Sequence, residues 1–449
     1  MSQHTNLFVP SFQTDQDEEV QSKTETQTLN GGGSSVWRFK GNNAAKEAAS
    51  VSIKSVLSRL FDSCSKDLKK TILPLGHGDP SVYPSFKTSV DAEEAVAESL
   101  RSGVANSYAP GIGILPARRA VANYLNRDLP HKLKPDDIFM TVGCCQGIET
   151  IIHVLSCPKS NILLPSFVYP LYYSHAIYGQ VEIRKYELLP DQDWEIDLQG
   201  IEAIADDNTI AMVIANPHNP CGNVYTHHHL KKVAEMAKKL GIMVISDEVY
   251  RHTIYGENPF VPMGIFTSIV PVVTLGSISK GWLVPGWRIG WMAMNDPNNV
   301  FKTTGVVESI KDRLNISPDP STILQFALPN ILEKTKKDFF EEKNLTFRQN
   351  VDMMFDALKE IPCLVCPKKS ESCTYLVMKL DLSLLGDITD DVDFCMKLAR
   401  EENLVLLPGE VLGKKNWVRI SIGVELSMLE DAFVRLKSFF ARHVKSPTT

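Results

Sequence analysis

No run of apolar residues in this chain reaches the ~20 needed to cross a bilayer, so a membrane-spanning protein is excluded by the sequence. A surplus of positive charge is also missing. The 449 residues carry a net charge of -6 with a pI near 6.0, which removes the broad basic field that nucleic acid or an anionic membrane surface would need. The start of the chain lacks the basic-then-apolar order of a signal peptide and the acid-poor, Arg-rich character of a transit peptide, since Asp15, Asp17, Glu18 and Glu19 lie there. Cysteines number nine, an odd count without a disulfide framework, which fits reduced thiols in the cytosol. On that reading the sequons at Asn315 and Asn344 carry no meaning, because a cytosolic chain never meets the glycosylation machinery. The single CxxC, Cys363 to Cys366, has no second pair and no nearby histidine, so it is a poor zinc site. The triplet His227-His228-His229 is no metal face either. Adjacent residues on a helix point apart, and a solvated helix start is expected. No metal is expected.

What is present is ordinary globular material. With 43% hydrophobic and 22% charged residues, the chain can bury a large core and is long enough for two domains. Residues 1–34, ending in Asn30-Gly31-Gly32-Gly33-Ser34, read as a flexible arm, and order is expected to begin near Trp37. Residues 35–75 form a segment whose helix, about 44 to 62, is expected to join the smaller domain. Residues 76–325 form the large α/β domain. There, seven apolar runs alternate with helical stretches in the manner of a mainly parallel sheet: 138–142, 161–164, 181–186, 210–215, 243–246, 272–275 and 289–294. Residues 326–449 hold an interdomain helical region, about 320 to 360, and a small α+β domain with strands at 375–380, 405–407 and 417–422. In an open α/β sheet ligands gather at the carboxyl ends of the strands, and the candidate residues lie there.

The stretch Gly276-Ser277-Ile278-Ser279-Lys280-Gly281-Trp282 follows a strand and places a lysine among small residues. Ser277, and Arg288 eight residues beyond the lysine, can hold a phosphate dianion such as that of a lysine-bound pyridoxal phosphate. A solvated surface lysine is the bland alternative. In Asn216-Pro217-His218-Asn219-Pro220-Cys221-Gly222 the turn formers leave Asn219 poised to donate its amide to a phenolate or carboxylate oxygen, or they make a plain turn. Asp247 closes a hydrophobic strand, where an ion is costly without a cation such as a protonated pyridine nitrogen, and Tyr250 can reach the ring's 3-oxygen. A helix cap followed by a core tyrosine competes with that reading. Cys144 and Cys145 stand where a strand turns into a helix, a place whose free N–H groups receive phosphate. Tyr172 can stack on a heteroaromatic ring or serve as core. The loop Asn106 to Gly113, carrying Tyr108, lacks the spacing of a dinucleotide fingerprint, so NAD is rejected. Arg419, a cation inside an apolar strand, requires an anion, either a substrate carboxylate or an internal glutamate.

The set Asn219, Asp247, Tyr250, Ser277, Lys280, Arg288 and Arg419, in this order and spacing, resembles the fold-type I pyridoxal phosphate aminotransferases over about residues 37 to 442. Within them the chain is similar to the plant tyrosine aminotransferase group, which also holds nicotianamine aminotransferases and a carbon-sulfur lyase of glucosinolate synthesis. The stretches Ser35 to Phe39, Leu75 to Pro84 and Ile245 to Tyr250 carry that likeness. The resemblance implies Lys280 as the Schiff-base lysine, Asp247 as partner of the pyridine nitrogen, and Tyr250 and Asn219 as ligands of the 3-oxygen. It implies a phosphate held by Ser277, Arg288 and the main chain at Cys144 and Cys145, with Tyr108 reaching it from a neighbouring subunit of a homodimer. Tyr172 would cover the ring face, and Arg419, helped by the main chain at Gly78, would bind the α-carboxylate. The implied activity is transfer of the amino group of an aromatic, tyrosine-like amino acid to a 2-oxo acid such as 2-oxoglutarate. Cleavage of cysteine S-conjugates is the second reading, and a non-catalytic relative the third. The sequence departs from the family pattern at Pro165 to Pro170, which lacks the usual arginine and glycine, and at Cys145, which replaces a more usual Asn or Ser.

Overall fold

The computed structural model describes residues 41–66 and 69–445, so the expected arm at 1–34 and the stretch around Trp37 lie outside the described residues. Seven strands form the main sheet: β1 (Ile138–Thr141), β2 (Asn161–Pro165), β3 (Glu182–Tyr186), β4 (Thr209–Ala215), β5 (Met243–Asp247), β6 (Val272–Ser277) and β7 (Gly290–Asn295). Their order is β1-β7-β6-β5-β4-β2-β3. The pairs from β3 to β6 are parallel, whereas β7 runs antiparallel to both neighbours. Every residue of β2, β6 and β7 is buried, as expected where helices cover both faces of a sheet.

The helices carry their own punctuation. Helix His227–Leu240 starts at Thr226, whose hydroxyl accepts from the His229 amide, and stops at Gly241 in the left-handed region at φ 69°. Its buried stripe, Leu230, Val233, Ala234 and Ala237, repeats at helical spacing. His227 and His228 are exposed, but His229 is buried and its Nε2 accepts from the Ile196 amide at 3.1 Å. Only part of the triplet is therefore solvated, because the third residue has turned onto the inward face.

The expected single helix over 44 to 62 is two, Asn43–Ser50 and Ile53–Asp62, because the Ser52 side chain caps the second. The first packs on helix Leu171–Tyr178, where the Ser174 hydroxyl donates to Ala48 O at 2.9 Å. The second packs on helix Asp391–Glu402, and just beyond it Ser65 N donates to Oδ1 of that helix's C-cap, Asn403, at 2.9 Å.

That smaller sheet is antiparallel, in the order β8-β9-β11-β10, from β8 (Leu364–Val365), β9 (Tyr375–Leu380), β10 (Leu407–Pro408) and β11 (Trp417–Ser421). The expected strand at 405–407 is shorter and later. Val405 instead donates to Leu73 O at 3.0 Å, while Ser421 donates to Leu75 O at 2.7 Å. These bonds tie residues 73–75, and the Gly76–Gly78 loop after them, to the smaller sheet.

Candidate active site

The carboxyl ends of the three central parallel strands stand side by side, because Ala215 pairs with Asp247 and Asp247 with Leu275. The chain turns outward just past each, which brings Asn219, Asp247 and Ser277 to one edge. A cavity of about 780 Å³ opens there. It is lined by Lys280, Arg288, Arg419, Cys144, Cys145, Tyr250 and Gly78 as well as by those three residues. Ten of the sequence-predicted site residues thus meet in one place, although Gly78 and Arg419 come from opposite ends of the chain.

Lys280 is half-buried and its Nζ donates to Gly78 O at 3.2 Å. Arg288, at φ 54°, donates through Nη1 to Pro285 O at 2.7 Å and through Nη2 to Val142 O at 3.3 Å. Its guanidinium lies against Gly143. A Cβ there would stand 2.5 Å from Nη2, and Gly143 itself is at φ 67°, so only glycine fits this turn. Gly143 opens helix Gly143–Leu155, whose first turn no side chain caps, and Cys144 and Cys145 present that uncapped end to the cavity. Ser277 is buried and accepts from Ser279 N at 3.3 Å.

Arg419 stands in β11 opposite Val377 and is only 2% exposed. Nη2 donates to Gly76 O at 3.1 Å, but Nε and Nη1 are buried without a partner. The internal glutamate that would have been the bland alternative is absent among the described residues. Lys280, Arg288 and Arg419 all lack an ion pair among these residues. The Asn219 Oδ1 is likewise buried without a partner, while the Tyr250 hydroxyl faces those of Tyr375 and Thr374. Unpartnered polar groups of this kind cost roughly 1–3 kcal/mol each, so a cluster of them marks a place built for a polar ligand.

Asp247 is the buried anion among these cations. Burial pushes its carboxyl up to about 6, against the opposing pull of hydrogen bonds from the Val249 amide at 3.3 Å and the Tyr172 hydroxyl at 3.0 Å. Tyr172 therefore does not stand where it was expected. It is fully buried, lies behind Asp247 and does not line the cavity, because it sits in the first turn of helix Leu171–Tyr178 and faces the core. Tyr169, before Pro170 and outside the helix, lines the cavity instead and is the aromatic residue placed to cover a ring. Replacing Tyr172 by phenylalanine is expected to cost about 2 kcal/mol at neutral pH, the worth of a hydrogen bond to a charged group, and to raise the Asp247 pKa further. Urea midpoints of the variant and parent at pH 8 check this. A Tyr172 that merely stacked would tolerate phenylalanine without change.

Tyr108 lies 99% exposed on its loop and outside this chain's cavity, as a residue expected to serve a neighbouring subunit would. One further residue escaped the sequence reading. Tyr375, at the start of β9, lines the cavity with its ring 3.8 Å from the Arg419 guanidinium carbon, and its hydroxyl lies so close to Gly78 that a Cβ there would overlap it. No local pattern in the sequence marks Tyr375, since its partners at positions 78, 280 and 419 are all distant in the chain.

Residues 70–436 match the family described as aminotransferase class I and II. The chain is 63% identical over 446 residues to S-alkyl-thiohydroximate lyase SUR1 of Arabidopsis thaliana, covering 99% of this chain and 95% of that one. It is 60% identical to the probable aminotransferase TAT1 of the same plant, covering 99% and 97%. Among solved structures, tyrosine aminotransferase from Leishmania infantum superposes with a TM-score of 0.86 at 28% identity, covering 92% of this chain and 100% of that one. The architecture is that of fold-type I aminotransferases, and the chain belongs to the class I and II aminotransferase family.

Proposed function

We propose that the cavity binds pyridoxal phosphate and that the chain transfers the amino group of an aromatic amino acid to a 2-oxo acid. The observation that carries this is the match between the cavity's unsatisfied groups and the parts of that cofactor. Arg288, Ser277 and the uncapped turn at Cys144 and Cys145 suit a phosphate. Asp247, buried without a cation partner, suits a protonated ring nitrogen. The Tyr250 hydroxyl and the Asn219 side-chain amide nitrogen, both at the cavity wall, can donate to a ring oxygen. Tyr169 is placed to cover the ring.

When bound, the cofactor supplies an electron sink for the charge that builds up at the substrate α-carbon. The chain's residues do the rest. Arg419 turns its two free donors to the substrate carboxylate and fixes the α-carbon. Lys280 Nζ takes the α-proton and carries it, held near Gly78 O between transfers. Asp247 is most stable as an anion beside a cation and so favours a protonated ring nitrogen.

Carbon-sulfur cleavage is the second reading, favoured by a second titratable group, Tyr375, facing the same space, and by the lyase among the relatives. Purified protein with tyrosine and 2-oxoglutarate is expected to yield the 2-oxo acid of tyrosine. No oxo acid from that pair, with pyruvate and thiol from an S-alkyl cysteine, would overturn the transaminase reading.

A homodimer suits the exposed apolar residues Tyr108 and Ile316, which lie in the two segments that meet where Gly111 abuts Asn315. From that face Tyr108 would serve a partner's phosphate site. The nine cysteines, all free, suit the cytosol. Among the described residues no helix is long and apolar enough to cross a membrane.

A further inference from the structure

Gly78 is the meeting point of two proton-bearing groups. Lys280 Nζ lies 3.2 Å from its carbonyl, and the Tyr375 hydroxyl packs so closely on its α-carbon that no side chain can stand there. Transamination needs one group to move one proton. Elimination of a thiol needs more, because a proton must leave the α-carbon and another must arrive on sulfur as the carbon-sulfur bond breaks. The Tyr375 ring packs with Tyr250 and Cys373 on one side and lies over the Arg419 guanidinium on the other, which fixes its hydroxyl in the cavity.

We propose that Tyr375 is the acid that protonates the departing sulfur of a cysteine S-conjugate. This rests on the cavity's reading as a pyridoxal phosphate site. Lys280 Nζ takes the α-proton. The carbon-sulfur bond breaks with its electron pair leaving on sulfur, and that sulfur takes the proton of the Tyr375 hydroxyl. The Lys280 ammonium returns its proton to the phenolate, so the net transfer is from α-carbon to sulfur. The carbon fragment leaves as the free enamine, which water converts to pyruvate and ammonia. One S-conjugate and one water thus give thiol, pyruvate and ammonia, with no oxidant or reductant required.

The electrostatics support this assignment. Burial opposes ionisation of Tyr375, but the Arg419 and Lys280 cations, with hydrogen bonds from Tyr250 and Thr374, outweigh it and hold the phenol below its ordinary value of about 10. A lowered phenol is a stronger acid toward the departing thiolate, and Lys280 is again an ammonium beside it once it holds the α-proton. A substrate carboxylate on Arg419 offsets one of those cations, so the phenol holds its proton when a substrate is in place.

The test is Tyr375→Phe, which keeps the ring over Arg419 and removes only the hydroxyl. In the cofactor-free protein, ultraviolet titration is expected to show one tyrosine ionising below the ordinary range in the parent and not in the variant. In the loaded enzyme, thiol release from S-methyl cysteine is expected to fall about 100-fold. For an S-(nitrophenyl) cysteine, whose acidic thiol leaves without an acid, the loss should shrink to a few-fold. Equal losses for the two conjugates, or the same titration curve in parent and variant, would overturn the role of Tyr375 while leaving the lyase reading standing. A parent that binds the cofactor but releases no thiol from either conjugate would overturn both.

Discussion

Lys280→Ala is expected to lower kcat about ten-thousand-fold, the upper end of what a positioned proton-transfer group supplies. The side chain is half-buried, makes one hydrogen bond, to Gly78 O, and joins no ion pair among the described residues, so its removal should change the unfolding free energy read from urea curves by no more than about 0.5 kcal/mol. Loss of rate without loss of fold then separates chemistry from structure. Lys280→Arg sharpens the result. Arginine keeps the positive charge beside Gly78, but its guanidinium does not give up a proton at any working pH and cannot serve as a base. If the lysine acted only as a cation, the arginine variant would retain most of the rate. The expected outcome is that both variants are equally inactive in single-turnover assays, and that neither develops the visible absorbance of a lysine-bound pyridoxal phosphate.

Lys280, like Asn219 and Asp247, was legible in the sequence for a physical reason. Each follows a short apolar run, and in a parallel sheet the residues just past such runs share one edge. The seven runs themselves became the seven strands, because so short an apolar-rich stretch between breakers is too short for an ordinary helix. Strand order and direction were less visible. The β7 strand enters beside β6 in the opposite sense, and the link between them, which carries Lys280 and Arg288, has no crossover helix to enforce parallel pairing. An apolar run looks the same in either direction.

Side-chain facing was harder still. Tyr169 and Tyr172 are three residues apart, and only the start of the helix after Pro170 decides that one looks into the cavity and the other onto Asp247. Tyr375 was illegible for the opposite reason. Nothing in its own neighbourhood differs from an ordinary strand start, and its significance comes from Gly78 and Arg419, which the fold brings to it from far along the chain. Long-range placement of this kind has no periodic signature.

Asp247→Asn is expected to slow catalysis about a thousandfold while making the cofactor-free protein more stable at neutral pH. The two effects share one cause. Burial raises the Asp247 carboxyl to about 6 in the folded chain, against about 3.9 when unfolded. Between those values the folded state binds more protons than the unfolded one, so stability falls as pH rises through the window and the penalty is complete above it. A gap of this size corresponds to roughly 3 kcal/mol. Asparagine has no charge to bury and can still accept from the Tyr172 hydroxyl, so the variant should escape the penalty. Urea midpoints for the cofactor-free proteins are expected to coincide near pH 4 and to diverge in favour of the variant by pH 8. Adding pyridoxal phosphate should narrow that divergence in the parent, since a cationic ring nitrogen beside Asp247 supplies the missing charge. Curves that run parallel from pH 4 to 8 would mean that Asp247 is already paired or solvated in the empty cavity. The buried, unpaired carboxylate is thus a strain carried by the empty chain and relieved by a cationic ligand, and this ties the choice of cofactor to the stability of the fold.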